Sequence, residues 1–206
     1  MNEKFFKLPI EKQQKIINAG FHVFARNTYK KSPVSEIADA AGISKSLLFH
    51  YFHNKKELYL FLWDTCARLT MEALEEFGCY KGEDLFEIMR LGLKAKVQIM
   101  KEYPDIGFFA LKAFYEKDPE IAMELRKDCE KRLNIKAMAT LLKLDPQDFI
   151  PGIDLNLMYR DMYWVTEGYL LEMLQKEEFS VEKMEQDFTE LIGFWEKVYR
   201  RKEGES

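Results

Sequence analysis

A chain of 206 residues that is 47% hydrophobic and 14% aromatic has enough apolar material for a sizeable core, which excludes a disordered or low-complexity protein. No apolar run approaches the roughly 18 residues needed to cross a bilayer, and Met1–Leu8 is charged and too short for a secretory leader, so a soluble, cytoplasmic protein is expected. The net charge of −4 is unevenly distributed: residues 1–58 carry +5 and the remainder −9, and all three histidines lie in the basic part, which fits a head that binds a polyanion.

The first expected helix spans residues 9–27. Ile16, Ile17, Gly20, Phe21 and Phe24 form its single apolar stripe, and Arg26, Asn27 and Thr28 close it. Lys4, Lys7, Lys12 and Lys15 lie along this region, where a phosphate contact competes with the ordinary solvation of a lysine. Residues 32–58, SPVSEIADAAGISKSLLFHYFHNKKEL, then read as two short helices and the start of a third. Ser32 is placed to cap the first, with Pro33 at its first position, where a missing N–H costs nothing. Val34, Ile37, Ala38 and Ala41 supply an inward face, and Gly42 suits the left-handed residue that follows a helix. Ser44 caps the second helix. At about 100° per residue, Lys45, Ser46, Phe49, His50 and His53 fall on one side of that helix, while Leu47, Leu48, Tyr51 and Phe52 fall on a core side. A cation, a hydroxyl, an aromatic ring and two imidazoles suit entry into a DNA major groove, and a short helix, a Gly-containing turn and a second short helix are the marks of a helix-turn-helix.

The rest of the chain is helical in pattern. Residues 56–77 leave the head; residues 83–102 carry Phe86, Met89, Leu93, Val97 and Met100 as one stripe; Pro104 ends that helix. A short apolar helix over 105–115 and a long one from Pro119 to Leu144 follow, then turns at 143–146 and 151–152, and two final helices over 154–177 and 181–200. The expected fold class is all-α: an N-terminal three-helix helix-turn-helix head, residues 1–55, and a larger helical body, residues 56–206.

The spacing argues against several other chemistries. His50 and His53 are three apart, but zinc needs further ligands; the closest acid in sequence is Glu57, and a groove-facing role explains both rings better, so no metal is expected. Ser46 and His50 have nucleophile–base spacing without an orienting acid, so no catalytic residue is expected. The body holds no histidine, which excludes a di-iron bundle, and there is no Gly-rich phosphate loop; no cofactor is expected. Cys66, Cys79 and Cys129 are far apart inside helical patterns and read as buried free thiols.

The run Ser35-Glu36-Ile37-Ala38, Ala41-Gly42-Ile43-Ser44-Lys45, Leu48-Phe49-His50-Tyr51-Phe52 and Lys55-Lys56-Glu57-Leu58 resembles the TetR/AcrR family of one-component transcriptional regulators over about the first 60 residues. The resemblance implies a DNA-binding head, a divergent ligand-binding body and a homodimer, hence a repressor on a palindromic operator, released by an effector. Ser46, Leu47 and Phe49 depart from the frequent Gly, Thr and Tyr, removing two hydroxyls that often meet phosphate. These departures leave open an alternative, a helical protein-interaction adaptor with degenerate DNA binding.

By position, Ser32 and Lys55 are expected on phosphate, with Tyr51 adding its hydroxyl. Ser35, Lys45, Ser46 and His50 are expected on base edges, and Phe49 on a thymine methyl or a sugar. Met100, Phe108, Phe109, Phe114, Tyr115, Tyr163, Trp164 and Glu167 are candidates to line a site for a small, mostly apolar effector, although core packing explains such residues more often than a pocket does. Residues 154–200 are expected to pair with a second copy as a four-helix interface through Trp195, Leu191, Phe188 and Met162.

Overall fold

The computed structural model describes residues 3–141, 144–176 and 180–202, with the backbone alone described for 132–141. Ten α-helices run through the described residues: α1 (Glu3–Phe6), α2 (Ile10–Arg26), α3 (Val34–Ala41), α4 (Lys45–Tyr51), α5 (Lys55–Glu76), α6 (Leu85–Glu102), α7 (Ile106–Phe114), α8 (Ala122–Leu141), α9 (Leu155–Lys176) and α10 (Val181–Tyr199). Beyond one bridge between Phe149 and Arg200, the described residues form no β-structure. The all-α class and the order of the long helices are as the sequence pattern predicts. The pattern misses α1, which at four residues is too short to show a period. Residues 143 and 177, where two predicted boundaries fall, lie outside the described residues, as does the tail from 203.

The chain forms two compact units, Met1–Met71 with Ile99–Cys129 and Glu72–Gln98 with Glu130–Ser206. The first unit has an aromatic core in two parts. Phe5 of α1 is buried against Phe52 at 5.1 Å and Phe61 at 5.0 Å between ring centroids, so α1 is anchored where α4 meets α5. Phe109 of α7 is fully buried and lies 5.0 Å from Phe21 and 5.2 Å from Tyr59, with Phe24 at 4.7 Å from Tyr59. Gly20 is the point of closest approach between α2 and α5: a Cβ there would stand 2.5 Å from Leu62 Cδ1. Polar contacts follow the same seam. Asp105, just before α7, receives Arg26 Nη1 at 2.7 Å and stands 3.0 Å from His22 Nδ1, while Glu116 accepts the Tyr29 backbone N–H at 2.8 Å. The three-helix head is therefore packed onto α7 and is not a free-standing bundle.

In the second unit, Leu85, Phe86, Leu144, Phe149, Met158, Met162, Ile192 and Trp195 form one buried cluster. This corrects the expected dimer surface. Trp195 is 1% exposed and Met162 4%, so both are core residues of their own protomer, and Leu191 packs against that core. Phe188 is half-buried with its ring 5.0 Å from that of Tyr169. The apolar side chains that do face outward on α9 and α10 are different ones: Leu157, Trp164, Val165, Leu171, Phe194 and Val198. Of the four residues expected at that surface, Trp195 and Met162 belong to the inner side, while Leu191 and Phe188 are half-buried.

Ion pairs tie the end of α10 to the start of α6. Arg200 pairs with Asp84 and with Glu196, Glu196 also pairs with Arg90, and the Arg200 guanidinium lies 5.2 Å over the Phe86 ring. Asp84 also caps α6, its Oδ1 accepting the backbone N–H groups of Phe86 at 2.8 Å and Glu87 at 3.2 Å. Burial alone would raise the Asp84 pKa, but Arg200 and these two N–H groups hold it below its ordinary value. A carboxylate depressed in the folded state contributes stability above its unfolded pKa and loses it as the pH falls through the folded one. Asp84→Asn keeps the cap and removes the charge. Its destabilisation should be near its full size at pH 7, at most about 1 kcal/mol because both partners are about a third exposed. It should shrink toward zero as urea melts are taken below about pH 4. A difference that stays constant from pH 7 to pH 2 would exclude this role for the ion pair.

Candidate nucleic-acid interface

The turn between α3 and α4 sets the site. Gly42 has φ 68° and ψ 34°, the left-handed region in which a side chain is strained. Its N–H bonds the Asp39 carbonyl at 3.0 Å and the Ile43 N–H bonds the Ala38 carbonyl at 3.0 Å, the paired closure of a Schellman motif. A Cβ on Gly42 would also stand 3.1 Å from Lys15 Nζ. Ser44 then caps α4, its Oγ accepting the Leu47 N–H at 3.1 Å. Helix α3 is buried through Ile37, Ala38 and Ala41, and α4 through Leu48 and Tyr51, with Phe52 directly after it. These anchors leave the other side of α4 facing out.

Ser35, Lys45, Ser46 and His50 are all exposed, and Phe49 is half-buried. Lys45 Nζ lies 5.9 Å over the Phe49 ring, and Ser46 Oγ is 3.0 Å from Ser44 Oγ. Lys4 Nζ stands 3.2 Å from His50 Nε2. An ammonium only donates, so His50 Nε2 faces it as the acceptor.

Three sequence expectations are corrected here, for Ser32, Leu47 and His53. Ser32 does not cap α3; Pro33 occupies that place, and Ser32 is 2% exposed with its hydroxyl donating back to the Thr28 carbonyl at 2.9 Å, a common local alternative for serine. Leu47 is not a core residue but is 36% exposed, because a seven-residue helix buries only the narrow face through Leu48 and Tyr51. Tyr51 is buried on the core side, as the pattern predicts, and edge-on to Phe5 at 6.1 Å. His53 lies beyond the end of α4, with Nδ1 2.7 Å from Glu57 Oε2, while Asn54 Oδ1 accepts the Glu57 N–H at 2.8 Å and caps α5.

Lys55 is also committed within the fold. Its ammonium donates to the carbonyls of Lys30 at 3.1 Å and Ser32 at 3.4 Å and lies 4.7 Å over the Tyr29 ring. Burial, then Glu120 and Asp118, push the Tyr29 hydroxyl well above the ordinary tyrosine value, so this ring stays neutral. Lys55 and Ser32 thus close the turn that leads into α3.

The effector candidates are divided between the two units. In the first, Phe109 belongs to the core, Met100 is buried, Phe108 and Tyr115 are half-buried and Phe114 is exposed. Lys112 Nζ lies 5.2 Å over the Phe108 ring. In the second, Tyr163 and Glu167 are half-buried, and Trp164 is exposed with the Arg160 guanidinium 4.7 Å over its ring. Cys66, Cys79 and Cys129 are buried thiols, as expected.

The family model for bacterial regulatory proteins, tetR family, matches residues 16–61, the segment that holds the α3–α4 pair. Over this segment the chain is similar to the tetR family of regulators. Over 65 residues, 32% of the chain, it is 35% identical to the fatty acid metabolism regulator protein of Bacillus subtilis strain 168, and that match spans 34% of the relative's length. Over 82 residues, 40% of the chain and 40% of the relative, it is 30% identical to the HTH-type transcriptional repressor AcnR of Corynebacterium efficiens. The fold is also that of the transcriptional regulator FadR from Bacillus subtilis, whose structure was solved with stearoyl-CoA. That likeness covers 86% of this chain and 96% of the other, with a TM-score of 0.59 at 17% identity. Among the described residues no helix is long and apolar enough to cross a membrane.

Proposed function

We propose that this chain is a TetR-like cytoplasmic repressor that binds a palindromic operator as a homodimer and is released by a small, mostly apolar effector. The observation that carries the reading is the outward face of α4, where Lys45, Ser46 and His50 stand exposed on a helix held by the Gly42 closure and the Ser44 cap. In this reading residues 1–55 bind DNA and residues 56–206 bind the effector and the second copy. Ser35, Lys45, Ser46 and His50 meet base edges, and Phe49 and Leu47 offer apolar contact to thymine methyls. Ser32 and Lys55 act on phosphate mainly by shaping the turn before α3. The protein works as a regulator and not as an enzyme. Selection of bound fragments from genomic DNA should return one palindrome whose half-sites are about one helical turn apart. Recovery of no sequence above background would overturn the reading.

For the dimer, the supporting feature is a stripe on α9: Leu157, Trp164 and Leu171 recur every seven residues, and Trp164 is 55% exposed. Phe194, 60% exposed, and Val198 give α10 a matching outer edge. Sedimentation at micromolar concentration should show a dimer, and Trp164→Asp with Phe194→Asp should give a folded monomer. A dimer indifferent to both substitutions would exclude this surface.

For the effector, the name of the Bacillus subtilis relative and the stearoyl-CoA bound to FadR support a fatty acyl chain as the apolar part. A ligand with differential affinity for the DNA-free state shifts the population away from the operator. Long-chain acyl-CoA should raise the melting temperature and lower operator affinity, while CoA alone should do neither.

A further inference from the structure

We propose that Lys4, carried by α1, is a further operator-contacting residue that binds the phosphate beside the bases read by His50. The inference rests on the DNA-binding reading and extends the contact surface beyond the helix-turn-helix to the N-terminal helix. Three features carry it. Lys4 Nζ stands 3.2 Å from His50 Nε2, which places its charge at the rim of the exposed face of α4. The next residue, Phe5, is 1% exposed and packs on Phe52 and Phe61, so α1 is fixed in the core and does not sample space as a tail would. Gln13 Nε2 donates to the carbonyls of Leu8 at 2.8 Å and Phe6 at 3.3 Å, tying the turn that follows α1 back to α2. An ordinary surface lysine loses side-chain freedom when it binds; this one is already held beside the proposed reading face, which lowers that cost. Phosphate is the partner that fits, because Lys4 sits on α1, beside the exposed face of α4 and not on the helix proposed to read the bases, and a compact ammonium suits a phosphate oxygen.

The test is a salt series on the full chain with its selected operator, using wild type, Lys4→Met and Lys4→Arg. Lys4→Met keeps much of the stem and removes the charge. It should bind several-fold more weakly at 0.1 M salt, with the slope of log affinity against log salt reduced by about one per protomer. Lys4→Arg should restore the slope. An unchanged slope in a Lys4→Met chain with the wild-type melting temperature would overturn the proposal, and so would a weakening that is the same at every salt concentration, since that would mark a purely structural role through His50. If the wild type itself shows no salt-dependent affinity for any selected duplex, it is the DNA-binding reading that falls.

Discussion

Trp195→Ala should be the most damaging single truncation in the second unit, lowering its stability by about 3–5 kcal/mol, the usual range for removing a buried Trp. The side chain is 1% exposed and belongs to the cluster of Leu85, Phe86, Leu144, Phe149, Met158, Met162 and Ile192. Its removal strips contacts from all sides at once, and the helices that meet there cannot collapse fully into the space. Guanidinium titration should show the midpoint shift, and the loss should be the same at 1 and 50 µM protein. That concentration independence decides between the two roles open to this tryptophan. A residue at a dimer surface would lose stability more steeply as the protein is diluted, as is expected instead of Trp164→Asp with Phe194→Asp on the outer stripe. A concentration-dependent loss for Trp195→Ala would return it to the interface.

The case of Trp195 also shows where sequence pattern stops being informative. Helical period reports that α10 has an apolar stripe, but α10 has apolar groups on more than one side: Ile192 and Trp195 face in, while Phe194 and Val198 face out. Exposed polar residues such as Glu185, Gln186, Glu190 and Lys197 share the outer side with Phe194 and Val198, so apolar periodicity alone does not say which stripe is internal. The opposite holds in the head. There Gly42 and Ser44 have one physical use each, a left-handed closure and a helix cap, and both were legible from residue type and spacing. Ser32 looked equally good as a cap, but its hydroxyl had a competing acceptor in the Thr28 carbonyl, which spacing alone cannot rank. Leu47 was misplaced because hydrophobicity was read as burial on a helix only seven residues long. Lys4 was seen only as one of several lysines, since the anchor that fixes it, Phe5, makes its contacts with residues about 50 positions away.

Lys45→Ala should relax the preference at one base pair in each half-site while leaving affinity for random duplex nearly intact. Lys45 is the exposed first residue of α4, set in place by the Ser44 cap, and a lysine donating to guanine O6 and N7 is worth about 1–3 kcal/mol of discrimination. That corresponds to roughly 5- to 150-fold against the wrong base. Lys55→Ala should behave in the opposite way. Its ammonium holds the Lys30 and Ser32 carbonyls and the Tyr29 ring, so its removal loosens the turn into α3 and lowers both stability and binding to every sequence. Binding series over operator variants and over random duplex separate the two. If Lys45→Ala lowers affinity equally for cognate and random DNA, Lys45 is a phosphate contact, and base reading must rest on Ser35, Ser46 and His50.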